Sequence, residues 1–591
     1  MSSTAKSPQP AAEAPASAPA LDAAIADLHT GAIAWSHLTL DQRSRLLERV
    51  RATVGVVAGE WVDVAAGSKG LEPGHPLRGE EWLGGPYGVI TALDAYRRSL
   101  DKLAAGASPL DGVTTAPAPG GRLRALAFPL HRLDGLLLSG YTGEVWFEPG
   151  VTDAEARRSA GLGQLHPTTP GGVGLVLGAG NVTSIPVLDV LYELLAHNRT
   201  ALLKVNPTQD ALVPVFERAL APLIEPGFVR ITTGGGDVGA YLTQHPDVQH
   251  VHITGAAPTF DTIVWGPSSG PDAAETQRRR RDGEPLLTKP ITAELGGVSP
   301  IIIVPGEWSD ADLRFHAEHV TTMRLVNSGH NCIAGQVVIL SSEWPQRDAF
   351  LGELEKAFAS APTRPVWYPR SDEKLAAAAS DFPGAIWSAD GTRAIIELEP
   401  GADATALEST EYFAPVLGVV QLPGNGQLFL DGAVAHANGR LVGTLGAHVL
   451  IDPVTEAALG AGFERALAEL RYGAISINSW TALAFLTPTL TWGGFPGGTI
   501  DDVQSGVDVV HNALLLDRVE RSLTRGPFRP FPRNIPTMIR FLSLSKGSAL
   551  PKPPWFVTSR TGAAVCEGLT RFHIDRNWAG LVTTFAQAYR A

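Results

Sequence analysis

The sequence predicts an α/β protein with mainly parallel sheets, and three observations indicate this class. From residue 170 onward, short apolar segments of strand length alternate with helical segments, the pattern of right-handed crossovers between parallel strands. Hydrophobic residues make up 44% of the 591 positions, so the chain can bury enough apolar surface to offset the entropy lost on ordering. Its 63 glycines and 45 prolines indicate many turns, and its length suits roughly two to four domains.

Composition excludes several other classes of protein. The chain has 60 acidic and 47 basic side chains, whereas a general nucleic-acid binder needs a basic surface. Only Cys332 and Cys566 are cysteines, so a disulfide framework does not hold the fold together, and we expect a cytoplasmic protein. The longest apolar runs have strand length, which argues against stable membrane insertion. The Ala/Pro/Ser-rich composition of residues 1–24 predicts a disordered tail rather than a signal peptide.

The first predicted domain, residues 25–295, begins with helical segments. Apolar residues recur at three- and four-residue spacing from 21 to 59 and again from 87 to 104, which is typical of amphipathic helices. Short apolar runs then predict strands at 136–138 and 144–147.

After residue 170 the pattern indicates a Rossmann-type dinucleotide-binding domain. A buried strand ends in the Gly-rich turn Gly178-Ala179-Gly180, and further helices and strands alternate after it. Ligands of such sheets bind at the carboxyl ends of the parallel strands, so we expect a nucleotide at that edge. The predicted strand segments begin at residues 171, 201, 228 and 248.

A second α/β domain, residues 296–505, is predicted to be catalytic. Its first segments are a strand at 299–306, a helix at 310–326, a loop at 327–335 and a strand at 336–342. The loop contains Cys332 between glycines, where a thiol can be exposed to a cleft and can attack a carbonyl carbon.

Five short segments occur in the same order as the motifs of one enzyme family. Together they resemble the aldehyde dehydrogenase superfamily, whose usual motifs are PWNFP, VxKPxE, LELGGKSP, GQxCxAG and ExFGPV. The resemblance covers about residues 25–500. It implies oxidation of a small-molecule aldehyde to a carboxylic acid with NAD or NADP, by a dimer or tetramer. The five segments are GAGNVTSIP at 178–186, ALLKVNP at 201–207, AELGGVSP at 293–300, NSGHNCIAGQ at 327–336 and EYFAPV at 411–416.

Three catalytic residues follow from this resemblance. Cys332 is implied to be the nucleophile that forms a thioester with the acyl group of the substrate. Glu294 is implied to be the general base that activates water to hydrolyse the thioester, a role that suits a carboxylate whose pKa burial raises. Asn181 is implied to stabilise the oxyanion together with the backbone N–H of Cys332.

The resemblance also implies four cofactor-binding residues and no metal site. Lys204 closes a strand and would reach ribose hydroxyls, and Gly255 would let a helix N-terminus approach the pyrophosphate. Glu411 would bind the nicotinamide ribose, and Phe413 would pack beside the ring. Pro207 stands where the family has an acidic residue that selects NAD, so the choice between NAD and NADP stays open.

Two segments depart from the family pattern. The run Arg278–Arg281 lies in an unusually long connection after Gly255 and predicts either a solvated loop or a clamp for a 2′-phosphate or an acidic partner. Residues 506–591 form a C-terminal extension that is Pro-punctuated and basic near its start, and it would wrap the catalytic domain or an oligomer partner. Substrate choice would depend on the loops at 480–490 and 492–498.

Two alternative functions remain open from the sequence. In one, coenzyme A rather than water accepts the acyl group, and the presence of Glu294 argues against it. In the other, the chain is a non-catalytic dinucleotide-binding member of the fold, and the retention of Cys332, Glu294 and Asn181 together argues against that.

Overall fold

The computed structural model of the chain describes residues 17–536 and 547–590. Its N-terminal part is helical, and the first helix begins inside the segment 1–24 that was predicted to be disordered. That prediction is wrong for residues 18–24, because Leu21 and Ile25 are 3% and 1% exposed and pack against a buried sheet. The helices of the described residues include α1 Ala18–Ser36, α2 Leu40–Ser68, α3 Gly79–Trp82, α4 Gly88–Ala104, α5 Arg132–Leu137, α6 Asp153–Ser159, α7 Ile185–His197, α8 Val213–Ala219, α9 Ala221–Ile224, α10 Gly236–Gln244, α11 Ala257–Trp265, α12 Ala273–Asp282, α13 Asp310–Leu325, α14 Arg347–Ser360, α15 Ser371–Asp381, α16 Thr405–Ser409, α17 Gly426–Arg440, α18 Pro453–Leu459, α19 Ala461–Glu469, α20 Ala482–Phe485, α21 Gly562–Asp575 and α22 Trp578–Ala588.

Strands form two main sheets. The described strands are β1 Thr115–Ala118, β2 Arg122–Phe128, β3 Thr142–Phe147, β4 Val173–Leu177, β5 Thr200–Lys204, β6 Val229–Thr232, β7 His250–Gly255, β8 Ile291–Leu295, β9 Ser299–Ile303, β10 Gly335–Ser341, β11 Ile386–Ser388, β12 Arg393–Glu397, β13 Val416–Leu422, β14 Gly446–Leu450, β15 Ala474–Ile477, β16 Thr491–Gly493, β17 Gly506–Val507, β18 Val509–Asn512 and β19 Val519–Arg525.

The smaller sheet has six strands in the order β17-β8-β7-β4-β5-β6. Strands β4 to β8 are parallel, and helices connect them as the alternating pattern predicts. Strand β17 pairs antiparallel to β8, with Gly506 opposite Glu294. Gly506 has a φ of +138°, and a Cβ there would lie 2.0 Å from the carbonyl oxygen of Ala293, so only glycine permits this close approach.

The larger sheet has eleven strands in the order β1-β2-β3-β19-β15-β14-β9-β10-β13-β12-β11. Strands β1 to β3 were predicted within domain 25–295, but they join this sheet because β3 pairs antiparallel with β19. The strand prediction for 136–138 is also wrong, since α5 extends to Leu137. The side chain of Asp134 accepts a hydrogen bond from the backbone N–H of His131 at 3.0 Å and starts that helix.

The C-terminal extension is integrated into the body of the protein. It supplies β17 to the smaller sheet and β19 to the middle of the larger one, and α21 packs against α3 and α2. The extension therefore wraps both sheets, as one of the two sequence-based interpretations anticipated.

Among residues 17–536 and 547–590, no helix combines the length and the apolar character needed to cross a membrane.

Candidate active site

The nucleophile loop, residues 327–335, is held in an unusual backbone conformation by side-chain hydrogen bonds. Asn327 and Ser328 have φ values of 53° and 57°, which non-glycine residues rarely adopt. The Asn327 amide donates to the carbonyl oxygens of Asn181 at 3.0 Å and of His330 at 3.1 Å. These bonds compensate for the strained turn and fix the loop that presents Cys332.

Cys332 and Glu294 are in direct contact. The thiol of Cys332 donates to Oε1 of Glu294 at 3.0 Å, and the indole N–H of Trp492 donates to the same oxygen at 3.2 Å. Glu294 is only 2% exposed, and this burial raises the pKa of its carboxyl to about 7, although both hydrogen bonds lower it. Burial, followed by the neighbouring Glu294 carboxylate, raises the pKa of the Cys332 thiol. At neutral pH the thiol therefore keeps its proton beside an acceptor that is about half ionised.

Asn181 is the third catalytic candidate, and the structure brings it to the same loop. Its amide nitrogen donates to the carbonyl oxygen of His330 at 2.9 Å, which leaves a second N–H of the amide for a ligand. The backbone carbonyl oxygen of Asn181 accepts hydrogen bonds from the Lys69 ammonium group at 2.9 Å and from the Asn327 side-chain amide. The three residues predicted to be catalytic therefore surround one loop and lie on or next to three different elements.

Several residues that support the loop were missed by the sequence reasoning. Buried Lys69 forms an ion pair of 2.9 Å with Glu81, and Glu80 accepts a hydrogen bond of 2.9 Å from the backbone N–H of Asn327. Glu80 also pairs with Arg364. None of these residues belongs to a motif, and no spacing along the chain signals that their carboxylates and ammonium group meet the nucleophile loop.

Of the cofactor-binding candidates, Lys204 and Gly255 lie at the carboxyl edge of the six-stranded sheet. Lys204 ends β5 and is 9% exposed, and burial lowers its pKa against the opposing influence of the Asp210 and Asp237 carboxylates. Gly255 ends β7, and α11 starts two residues later with no side-chain cap on its first N–H groups. Pro207, at the position expected to select the cofactor, opens a short 3-10 helix at 207–212.

Glu411 and Phe413 lie beside the nucleophile loop. Oε1 of Glu411 is buried and has no hydrogen-bond partner among the described residues. Burial, followed by the charge of Glu294, raises the pKa of Glu411 to about 8. A Cβ at Gly296 would lie 1.9 Å from Oε1 of Glu411, so glycine leaves the space for this carboxyl group. The carbonyl oxygen of Phe413 accepts a hydrogen bond of 2.7 Å from the ring of His330.

The arginine run forms part of helix α12, so the prediction of a loop there is wrong. Each of the four arginines lies next to a carboxylate on the protein surface. The ion pairs are Arg278–Glu275, Arg278–Glu284, Arg279–Glu275, Arg280–Asp261 and Arg281–Asp282. Local carboxylates therefore compete for the charges that a clamp for a phosphate would need, and the interpretation as a solvated segment fits better.

A cavity of about 100 Å³ leads to the catalytic candidates. Cys332 and Asn181 line it at one side, with apolar side chains from the predicted substrate loops, including Trp480 and Phe485. The opposite wall comes from the C-terminal extension, whose contribution to the site the sequence did not reveal. That wall consists of Pro554, Trp555, Phe556, Val557, Gly562 and Cys566.

Comparison with known proteins agrees with this architecture. Residues 158–371 match the model of the Aldehyde dehydrogenase family. Human 4-trimethylaminobutyraldehyde dehydrogenase is 30% identical over 132 residues, which are 22% of this chain and 22% of its own length. A putative aldehyde dehydrogenase of Staphylococcus aureus is 29% identical over 162 residues, 27% of this chain and 28% of its own length. The matched segment thus spans only about a fifth to a quarter of these relatives.

Solved structures match over much more of the chain. An NAD-dependent aldehyde dehydrogenase from Sinorhizobium meliloti has a TM-score of 0.56 and 19% identity, with 86% of this chain and 87% of that one covered. Aldehyde dehydrogenase C from Pseudomonas syringae, solved with NAD+ and octanal, has a TM-score of 0.56 and 16% identity over 86% of this chain and 89% of that one. The fold is therefore the α/β aldehyde dehydrogenase fold. The resemblance of the five motifs to the aldehyde dehydrogenase superfamily is confirmed.

Proposed function

We propose that this protein oxidises an aldehyde to a carboxylic acid through a thioester on Cys332, with NAD or NADP as the hydride acceptor. The observation that carries the proposal is the 3.0 Å contact between the Cys332 thiol and the buried Glu294 carboxylate, at the wall of a cavity that Asn181 also lines. A nucleophile in hydrogen-bond reach of a base with a pKa of about 7 is the arrangement that covalent catalysis needs.

The first half of the reaction forms the thioester. Glu294 takes the proton of the Cys332 thiol, and the sulfur attacks the carbonyl carbon of the aldehyde. The free N–H of the Asn181 amide and the backbone N–H of Cys332 stabilise the oxyanion that forms. NAD or NADP, when bound, supplies the acceptor for the hydride that the substrate carbon loses.

The second half releases the product. Glu294 first releases the thiol proton to solvent. The deprotonated Glu294 then accepts a proton from water, the resulting hydroxide attacks the thioester carbon, and the bond from carbon to Sγ of Cys332 breaks. The sulfur leaves as a thiolate and is reprotonated. Overall, aldehyde, oxidised nicotinamide and water give carboxylic acid, reduced nicotinamide and a proton, so atoms and electrons balance.

The chain's own residues fit a dinucleotide. The buried Oε1 of Glu411 has no partner among the described residues, and a ribose hydroxyl would satisfy it. The first turn of α11 after Gly255 has no side-chain cap and leaves the N–H of Ala257 for a phosphate, since Pro258 has no N–H and Thr259 donates to the carbonyl oxygen of Ala256. Lys204 offers a partly buried ammonium group. Phe413 would pack beside the nicotinamide ring. NAD+ is present in the solved structures of two structural neighbours, aldehyde dehydrogenase C and an indole-3-acetaldehyde dehydrogenase.

The resemblance further supports a cytoplasmic dimer or tetramer. Light scattering of the purified full chain measures the oligomeric state directly. The expected result is a mass of two or four chains, and a single-chain mass would contradict this part of the proposal.

The reaction is tested by incubating the full chain with NAD or NADP and a panel of aldehydes, with and without coenzyme A. We expect reduced nicotinamide and a carboxylic acid without coenzyme A. Turnover that requires coenzyme A and yields an acyl thioester would assign the alternative acceptor. The absence of both turnover and acylation of Cys332, checked by the mass of the intact protein, would identify a non-catalytic protein.

A further inference from the structure

The cavity at Cys332 is mainly apolar, and its polar lining is confined to the catalytic residues and to the side chains around the nucleophile loop, which are Lys69, Glu80, Glu81, Asn327 and Asn331. Apart from the catalytic loop, most of its lining consists of aliphatic and aromatic side chains, among them Leu77, Leu83, Ile185, Phe485, Leu486 and Trp492. Its volume of about 100 Å³ lies below the ~300–1,000 Å³ that small-molecule sites typically occupy, which suits a small substrate. Such a space offers burial, and little polar recognition, to the part of a substrate beyond its aldehyde group.

The charged and amide side chains in the lining are already engaged by the protein. Lys69 pairs with Glu81, and Glu80 pairs with Arg364 and the backbone N–H of Asn327. The Asn331 amide donates to the carbonyl oxygen of Val326 at 3.0 Å. A charged group on the substrate would lose its hydration, which makes its burial costly. Oε1 of Glu80 and the indole N–H groups of Trp480 and Trp555 are the buried polar side-chain atoms of this lining that have no hydrogen-bond partner among the described residues.

The far wall is a fixed part of the fold rather than a loose tail. Phe556 stacks on His319 of α13 with ring centroids 5.0 Å apart, and the backbone N–H of Val557 donates to the Thr322 hydroxyl at 3.2 Å. Thr558 donates to Glu318 at 2.7 Å. Helix α13 leads directly into the nucleophile loop, so the wall and Cys332 are attached to the same element.

Trp555 separates this cavity from a second one. The second cavity, of only about 10 Å³, lies between α5 and the C-terminal helices, and its lining includes Leu137, Leu550, Val565, Leu569 and Phe585. Pro554 and Trp555 line both cavities. The Trp555 side chain is 8% exposed and packs edge-on against Tyr141, with ring centroids 5.6 Å apart. Its indole therefore acts as a partition between the two apolar spaces.

We propose that the substrate is an aldehyde with an uncharged apolar chain, and that Trp555 of the C-terminal extension sets the longest chain the site accepts. This inference rests on the proposed function. Burial of each methylene group should raise kcat/KM by about fourfold until the chain reaches the Trp555 indole. Replacing that indole with a methyl group joins the second cavity to the first and moves the limit to longer chains.

The test compares kcat/KM across a series of unbranched aldehydes of increasing length, with a carboxylate-bearing and a trimethylammonium-bearing aldehyde as polar members. The wild-type protein should show a rise, an optimum and a fall, with both charged aldehydes at least about tenfold poorer than the apolar aldehyde of equal length. Trp555→Ala should move the optimum by two or more carbons. Trp578→Ala, which removes a 59% exposed tryptophan of the same extension, should leave the profile unchanged.

A second variant keeps the inference testable if Trp555→Ala does not fold. Leu486→Trp fills the cavity from the opposite side and should move the optimum to shorter chains. If the wild-type protein oxidises aldehydes but prefers the charged ones, or if neither variant moves the optimum, this inference is overturned while the proposed function stands. If no aldehyde acylates Cys332, the proposed function itself fails.

Discussion

The two walls of the cavity differ in how they are built. The catalytic wall, defined by Asn181, Glu294 and Cys332, lies next to the carboxyl ends of β4 and β8 and before β10, and hydrogen bonds fix each group. The extension wall, defined by residues 554–557, 562 and 566, contributes mainly apolar surface and is held mainly by packing, with a hydrogen bond from Val557 to Thr322. One wall carries groups that move protons, whereas the other carries none that titrate near neutral pH.

This difference indicates that the catalytic groups and the apolar groups that would select the substrate lie on separate parts of the chain. The catalytic wall uses sites that a parallel sheet offers to any ligand. The extension wall can change its shape without disturbing the hydrogen bonds at Cys332, since its packing and hydrogen bonds are made to α13 and not to the nucleophile loop itself. Substitutions in the two walls should therefore affect different kinetic quantities.

The two cysteines give the largest contrast. Cys332→Ala removes the attacking sulfur, so turnover should fall by a factor on the order of 10⁴ or more while cofactor binding stays nearly intact. Cys566 also lines the cavity, but burial raises the pKa of its thiol. Its sulfur lies 3.8 Å from the carbonyl oxygen of Pro554. Cys566→Ala should keep turnover within a few-fold of the wild-type protein. Steady-state assays and titration with NAD or NADP measure both quantities.

Cys566 belongs to the extension wall of the cavity. It lies outside every motif, yet it faces the same cavity as the nucleophile, so its replacement is a test of the extension wall rather than a neutral change. Substantial aldehyde oxidation by Cys332→Ala, or loss of the chemical step in Cys566→Ala, would remove the distinction between the two walls.

Glu294→Gln should have the next largest effect. The variant keeps the size of the side chain but loses the base, so steady-state turnover should fall by about 10²–10⁴. Because Glu294 touches the thiol directly, the burst of reduced nicotinamide should slow as well. Stopped-flow measurements at rising pH should restore the burst, since solvent hydroxide then ionises the thiol, whereas hydrolysis of the acyl-enzyme stays slow.

Mass measurement of the intact variant separates the two roles of this carboxylate. Accumulated acyl-enzyme with a burst of wild-type rate would mean that Glu294 acts on water alone. Recovery of turnover on addition of coenzyme A would assign the acceptor to coenzyme A. Turnover at the wild-type rate without coenzyme A would refute both roles of Glu294.

The sequence predicted strands β4 to β7 of the six-stranded sheet because their signals are local, whereas β17, which comes from the C-terminal extension, was missed. Each segment between 171 and 255 carries its own apolar run and a Gly-, Pro- or Asn-rich boundary, and the motifs follow the strand ends. Strands β1 to β3 were misplaced because their sheet is decided by pairing with β19, which lies far along the chain. No periodicity within 115–147 can reveal a partner at such a distance.

The catalytic trio was also predictable, whereas its surroundings were not. Cys332, Glu294 and Asn181 were identified through motifs, and the structure brings them to one loop. Lys69 and Trp555 gave no signal, because their contributions come from burial beside residues remote in sequence. Trp492 was predicted only as part of a substrate loop, and its hydrogen bond to Glu294 was not foreseen. What the sequence could not show is therefore the packing around the reacting atoms.

The next prediction concerns the choice between NAD and NADP, and its expected effect is smaller. This choice should depend on residues of the catalytic side of the molecule and not on the extension wall. With Pro207 in place of a carboxylate, NAD and NADP should be used within about tenfold of one another, or NADP should be preferred. Pro207→Glu should shift the ratio of kcat/KM toward NAD by about tenfold through repulsion of the 2′-phosphate, and Pro207→Gln should not. Trp555→Ala should leave the ratio unchanged. A strong wild-type preference for NAD would show that another group selects the cofactor.

The smallest expected effect is on how the free energy of unfolding depends on pH. This dependence should change in a variant of the catalytic wall and should not change in a variant of the extension wall. Burial raises the pKa of Glu294 to about 7, so between pH 4.5 and 7 the folded protein holds a proton that the unfolded chain releases. Stability from this group is therefore lost as pH rises through that window and is constant above it. Glu294→Gln has no such proton, so its melting temperature relative to the wild-type protein should rise from pH 5 to pH 8, by the equivalent of about 1–3 kcal/mol. Cys566→Ala alters a buried group that does not titrate in this range, so its difference from the wild-type protein should be the same at every pH. Differential scanning calorimetry at four pH values measures both differences, and a flat curve for Glu294→Gln would show that this carboxyl is ionised throughout.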